Sequence, residues 1–418
     1  MNMPHPPSRF VAMCVLALAC SLQAVTHRVP DVYSTIQEAI DAARDGDTVL
    51  VAPGRYRESF EIRGKNITVT SRFMLDGDVS VIRKTILDGN RPRGTKRASF
   101  VVRIAGNDDA PPRLCGFTIR GGDDGVSCAG PARIDHNYFT ANTDAIDYES
   151  GAGECVNNLF DGNRDDAIDL DGRCEVLVQN NIIRNSGDDG IEIRLHAYDD
   201  DEQRLDTIIR NNLFEGNKED GIQFIDYPDI SNRFFLVENN VFRDTAMAAI
   251  GFMAHGNTKE SFATAPIPEP IFIFNNTFIG NAEGVSASGA VRLINNLFVA
   301  TRNRALIMRK TVDETHVAAN LFWKNATDCE GISLKETHSV FADPAIDADG
   351  VPAAGGACDG AGMRTFERLK KFLDTVPEPP ADAPYHIGAL SPGGTLPAWG
   401  ITPGAARSGG TKAAEKRD

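Results

Sequence analysis

Acidic residues recur in this 418-residue chain at a spacing that ordinary surface charge does not require. NTDAIDYES (142–150), RDDAIDLDGR (164–173), GDDGIEIRLH (187–196) and KEDGIQFID (218–226) each set acids before and between alternating apolar residues. Alternation puts Ile146/Tyr148, Ile168/Leu170, Ile191/Ile193, Ile222/Phe224 and Ile250/Phe252 on one face of a strand, and the residues between them on the other. The outward residues then fall into columns. One reads Ser127, Asp147, Asp169, Glu192, Gln223, Gly251; the next reads Ala129, Glu149, Asp171, Arg194, Ile225, Met253. Beyond them come His196, Tyr227 and His255, and before the strand a turn column of Asp124, Asp144, Asp166, Asp189 and Asp220.

Asp is disfavoured in strands, and like charges across neighbouring strands repel. At the ~4.8 Å spacing of stacked strands, each pair costs about 1 kcal/mol in water and about 3–4 kcal/mol at an effective dielectric of 20. A cation relieves this. Dense, irregular oxygen ligands suit Ca²⁺, whereas Zn²⁺ calls for His or Cys. The expected ligands are Asp147, Asp166, Asp169, Asp189 and Glu192. The competing readings are a solvated acidic face and, for the turn column, a tight-turn role for Asp beside Gly or Ala.

The elements that position these acids are repeats. HNYF (136–139), NNLF (157–160), NNII (180–183), NNLF (211–214), NNVF (239–242), NNTF (275–278), NNLF (295–298) and ANLF (319–322) mark units of about 20 to 24 residues where no loop intervenes. Such units cannot bury an apolar face singly and must stack as the coils of a solenoid, with the Asn residues forming a structural ladder. YSTIQEAIDAAR (33–44) reads as an amphipathic helix covering the open end, and MRTFERLKKFLDTV (363–376) as a short C-terminal helix.

STIQEAIDAARDGDTVLVAPGRYRE (34–58), the NN-F coils through 322, and FADPAIDADG with YHIGAL resemble the pectate-lyase-like superfamily over roughly residues 28–391. The resemblance implies an all-β fold, a right-handed parallel β-helix with an N-terminal capping helix. The chain divides into a signal peptide at 1–24, a parallel β-helix with its N-terminal cap at 28–345, a C-terminal capping segment at 346–399 and a disordered tail at 400–418. The superfamily holds polysaccharide lyases, glycoside hydrolases, uronan epimerases and non-catalytic surface proteins.

Long insertions, HAYDDDEQR (196–204), IDYPDISNR (225–233) and MAHGNTKESFATAPIPEP (253–270), follow the acidic strand and would wall a groove for an acidic polysaccharide. Asp171, Tyr227 and His255 are its expected substrate-binding residues, and DDD at 199–201 is either a second cation position or a solvated loop tip. Calcium-dependent lyases of this fold use Arg or Lys as base, which makes Arg194 the first candidate. His196 is the second, by its more convenient unperturbed pKa, and Lys218 at the turn edge is a weaker one. The hydrolases of the fold carry Asn-Thr-Asp, Asp-Asp, Gly-His-Gly and Arg-Ile-Lys. Here NTD (142–144) and DD (165–166) are present, GDDG (187–190) replaces Gly-His-Gly, and Arg-Ile-Lys is missing. The epimerase Asp-Pro-His-Asp is also absent. Three readings stay open: a calcium-dependent lyase, a non-catalytic glycan- or calcium-binding protein, and a hydrolase using Asp144, Asp166 and Asp165.

A net charge of −15 argues against nucleic acid and anionic membrane surfaces as partners. FVAMCVLALACSL, ending on Ala17-Leu18-Ala19 before Cys20, reads as an export signal too short to span a membrane, with a lipoprotein through Cys20 as the variant reading. A secreted or periplasmic monomer is expected. In an oxidising compartment Cys155/Cys174 and Cys329/Cys358 are candidate bridges, although Cys155 also falls on a core position as a free thiol.

Overall fold

A computed structural model describes residues 24–89, 99–106, 111–198, 203–228, 231–255, 265–365, 370 and 385–401. Parallel strands stack in three ladders. The acid-bearing ladder passes through Asp124–Cys128, Asp144–Tyr148, Ile168–Leu170, Ile191–Arg194, Ile222–Asp226 and Ala248–Ala254. A second ladder follows it in each coil, through Ala152–Val156, Glu175–Gln179, Leu205–Arg210 and Arg233–Glu238. The third, eleven short strands from Gly54–Tyr56 to Leu321–Trp323, carries the NN-F apolar residues. The inward residues of all three form one continuous core.

The Asn pairs do two jobs. The first residue of each pair, as at Asn157, Asn180, Asn211, Asn239, Asn275 and Asn295, takes a positive φ of 53–60°, a left-handed conformation Asn tolerates better than most residues. The second is buried and reads along the axis: Asn181, Asn212, Asn240 and Asn276 each accept from the backbone N–H and side-chain amide of the preceding Asn at 2.8–3.2 Å. Phe rings stack beside it, with Phe242, Phe278, Phe298 and Phe322 at centroid spacings of 4.7–5.1 Å. Replacing Asn212 by Ala strips acceptors from Asn181 and donors from Val178 and Asn240 in a dry interior. A loss of about 3 kcal/mol or more is expected in urea unfolding. A loss under 1 kcal/mol would show that the ladder is dispensable.

The helix Ile36–Ala42 caps the first coil. Thr35 and Glu38 close a capping box, Ile36, Ala39 and Ile40 are buried, and the Lys65 ammonium donates to the carbonyls of Ile40, Asp41 and Ala43. The described part of the C-terminal segment packs on the side of the coils. Cys358 and Ile387 pack on Leu297 and Leu321, and Leu390 and Trp399 pack on Val241. The Gly400 N–H donates to the Asn180 carbonyl at 2.6 Å. Residues 385–401 therefore run along the outer face of the third ladder, where Leu297, Val241, Ile182 and Leu213 are apolar.

Of the helix expected over 363–376, residues 363–365 are not helical and most of the rest lie outside the described residues, as do the export signal and the tail from 402. Cys115, Cys128, Cys155, Cys174, Cys329 and Cys358 are all free, so the two expected bridges do not form; Cys155 is a buried core thiol. Among the described residues no helix is long and apolar enough to cross a membrane.

Candidate functional site

The outward column forms in register: Ser127, Asp147, Asp169, Glu192, Gln223 and Gly251 are successive partners across the ladder. Two carboxylate groups result. Oxygens of Asp147, Asp169 and Asp171 lie within 4.8 Å of one another, and so do those of Asp166, Asp169 and Glu192. Asp169 belongs to both. It is only 8% exposed, and its Oδ1 is buried without a hydrogen-bond partner, as is Oδ1 of Asp147.

Arg194 reaches back over the preceding coil. Its Nη1 donates to Asp169 Oδ2 at 2.9 Å and to both Asp171 oxygens at 3.1 Å, and its Nη2 pairs with Glu192. The two groups hold five carboxylates (Asp147, Asp166, Asp169, Asp171, Glu192) and one guanidinium, which contacts three of them and leaves four negative charges uncompensated when all are ionised. Burial, then the Asp124 and Asp171 charges, push Asp147 up to about 7. Burial and Asp171 push Asp169 up to about 8 against the pull of Arg194. Burial raises Glu192 to about 8, also against Arg194.

The same contacts hold the Arg194 guanidinium well above its ordinary range, against burial. So clamped, Arg194 is held protonated as the counter-ion of three carboxylates. His196 has its Nε2 4.0 Å from Asp171 Oδ1, and burial lowers its pKa, which keeps the imidazole neutral at pH 7. Its ring centroid lies 4.0 Å from that of Tyr227, tilted by 45°, and Tyr227 lies 4.2 Å from His255, tilted by 31°, so the third column is a row of rings in contact.

The turn column is a structural ladder. Asp144 Oδ1 accepts from the Asp166 N–H, Asp166 Oδ1 from Asp189, Asp189 Oδ1 from Asp220, and Asp220 Oδ1 from Ala248, at 2.6–3.2 Å. Asp166 still joins the second carboxylate group, but Asp189 joins neither. The ladder also engages the Asp144/Asp166 pair expected for hydrolysis.

Sequence reasoning missed Arg233. Buried against the Tyr198 ring, its Nη2 donates to the carbonyls of Gly172 (2.5 Å) and His196 (2.7 Å), pinning the turn after Asp171 and the backbone of His196. Nothing in its local sequence marks it; its reach across coils gives it the role. A third acid-containing group, Cys115, Asp135 and His136, is closed: Arg113 forks onto both Asp135 oxygens at 2.6 Å and His136 Nδ1 bonds Oδ2 at 2.7 Å. Burial alone would raise Asp135, yet these bonds hold it down to about 2.

One hollow of about 810 Å³ includes none of the column acids. It lies across the turn at Ser150–Gly153, lined by Glu154, Arg173, Glu175 and Asp206. Residues 199–202, 229–230 and 256–264 of the expected walls, DDD at 199–201 included, are outside the described residues.

Residues 124–298, which carry this face, match a family model described as a right handed beta helix region. The chain is a right-handed parallel β-helix protein. This β-helix is similar to pectate lyase Pel9A at 13% identity, over 89% of this chain and 98% of that one, with a TM-score of 0.47. It is similar to the PL6 family alginate lyase AlyGC at 12% identity, over 74% of this chain and 54% of that one, TM-score 0.43. The Azotobacter vinelandii mannuronan C-5 epimerase AlgE6 A-module is 15% identical, over 74% and 94% of the two chains, TM-score 0.43. Likeness of this degree concerns coil architecture and carries no argument on chemistry. No curated protein matches the chain in sequence.

Proposed function

We propose that this β-helix is an exported, calcium-dependent lyase acting by β-elimination on a polysaccharide that contains uronic acids. The observation that carries the reading is Asp169, shared between two carboxylate groups with one buried oxygen unpartnered. Asp147, Asp169 and Asp171, with Asp166 and Glu192 beneath, are an all-oxygen donor set that fits Ca²⁺. A bound ion would supply charge neutralisation of the uronate carboxylate, which acidifies the adjoining C–H.

His196, neutral and at the edge of the acid face, takes the C5 proton. The C5–H electrons form the C4=C5 double bond as the C4–O bond breaks, and the departing oxygen gains a proton. Tyr227 and His255 extend the face along the axis, where a second sugar would lie. Export rests on the apolar run before Cys20.

An absorbance screen over pectate, alginate and glycosaminoglycans, with calcium or EDTA, tests the proposal. Calcium-dependent near-ultraviolet absorbance from an unsaturated product is the expected result. Reducing ends without it mean hydrolysis, and retention on a polysaccharide gel without either product means a binding protein. With the active polymer in hand, His196→Gln is expected to lower kcat about 10²–10⁴-fold with calcium affinity unchanged; a loss below tenfold removes His196 from the reaction.

A further inference from the structure

We infer that Arg194 is the resident counter-ion of the acid column, that an incoming divalent cation displaces its guanidinium, and that the displaced group then faces the carboxylate of a bound uronate. The inference rests on the calcium reading above and concerns how that site is regulated.

The guanidinium holds residues of both carboxylate groups. Nη1 holds Asp169, the member common to both carboxylate groups, and Asp171, a member of the first; Nη2 holds Glu192, a member of the second. A cation in the first group shares the Asp171 oxygens with Arg194, and one in the second sits beside the Asp169 and Glu192 oxygens that Arg194 holds. A divalent ion and a guanidinium within about 4 Å of each other repel strongly when half-buried. Arg194 contacts Asp169, Asp171 and Glu192 at once, so its charge does for these acids what a bound cation would do.

Only the side chain has to move. The backbone is fixed by pairing of Ile193 with Phe224 and of Arg194 with Ile225, while the side chain is about a third exposed at the strand's end and has a way out to solvent. Outward of it stand His196 and Tyr227, where substrate is proposed to lie. A freed guanidinium there is matched to a carboxylate by its two-pronged fork. Cation and uronate would then favour each other's binding, because each takes a partner the other has released.

The experiment titrates calcium alone, by calorimetry in chelator-stripped buffer, into the wild-type protein and Arg194→Met. Calcium is expected to bind the variant at least tenfold more tightly. In the wild-type protein labelled with ¹⁵N-arginine, the Arg194 side-chain N–H signal, assigned by its loss in the variant, is expected to shift and exchange faster with water as calcium is added. Equal or weaker binding by the variant makes Arg194 a fixed part of the site and overturns the inference while leaving the calcium reading standing. Calcium binding with an unmoved Arg194 signal overturns it equally, and if Arg194→Met does not fold, Arg194→Lys supplies the assignment. Binding by the variant only supports the displacement and counts against calcium as the wild-type cofactor. Absence of binding to both proteins ends both ideas.

Discussion

Asp169→Asn is expected to lower calcium affinity at least about 100-fold, or about 2.7 kcal/mol, while raising the melting temperature of the chelated protein at pH 8.5. The opposite signs follow from one geometry. Asp169 is common to both carboxylate groups, so its loss depletes both at once. Without a cation, however, its charge faces Asp147, Asp171 and Glu192 in a half-dry setting, and Arg194 offsets only part of the repulsion. Asn keeps the shape and removes the charge. Calorimetric titration and thermal melts in EDTA read the two effects. If both affinity and stability fall, Asp169 is an ordinary ion-pair partner of Arg194 and the cation reading loses its support.

The second large effect is a stability that declines with pH unless calcium is present. In the unfolded chain Asp147, Asp169 and Glu192 ionise near their ordinary values; folded, they hold protons to about 7, 8 and 8. Asp124 and Asp144 add to this at about 6, raised chiefly by burial. Between about pH 4 and pH 8 the folded state thus binds more protons than the unfolded state, so stability falls as pH rises. The contribution is complete below pH 4 and gone once pH passes the folded values. His196 and His386, lowered by burial, work in the opposite direction but are fewer. Asp47 and Asp135, held down to about 2, act only below this window. In EDTA the melting temperature is expected to drop by about 5 °C or more from pH 5 to pH 8, and millimolar calcium should flatten the profile. A profile that rises with pH in EDTA would mean the column acids are ionised and already compensated.

The chain's periodic features were legible without coordinates. The coil, the inward and outward assignment and the registration of Asp147 with Asp169 and Glu192 follow from alternation repeated at a constant interval. Asn at each left-handed turn marks where every coil bends. These are local preferences enforced again and again, so an error in one unit is corrected by its neighbours. The cap helix was equally readable, since Thr35, Glu38, Ile36 and Ile40 carry their own instructions.

What the repeat does not encode is where long side chains go between coils. Arg194 could have faced solvent; only the fold shows it lying back over Asp169 and Asp171, more than twenty residues earlier in the chain, as their counter-ion. Asp166 and Asp189 look alike in sequence, yet Asp166 also points to Glu192 while Asp189 serves only the ladder. Cysteine pairing, the grip of Arg233 on the Gly172 and His196 carbonyls, and the path of residues 385–401 along the third ladder were likewise decided in three dimensions. Each depends on distances between residues far apart in the chain, set by stacking and by side-chain rotamers, which residue order does not record.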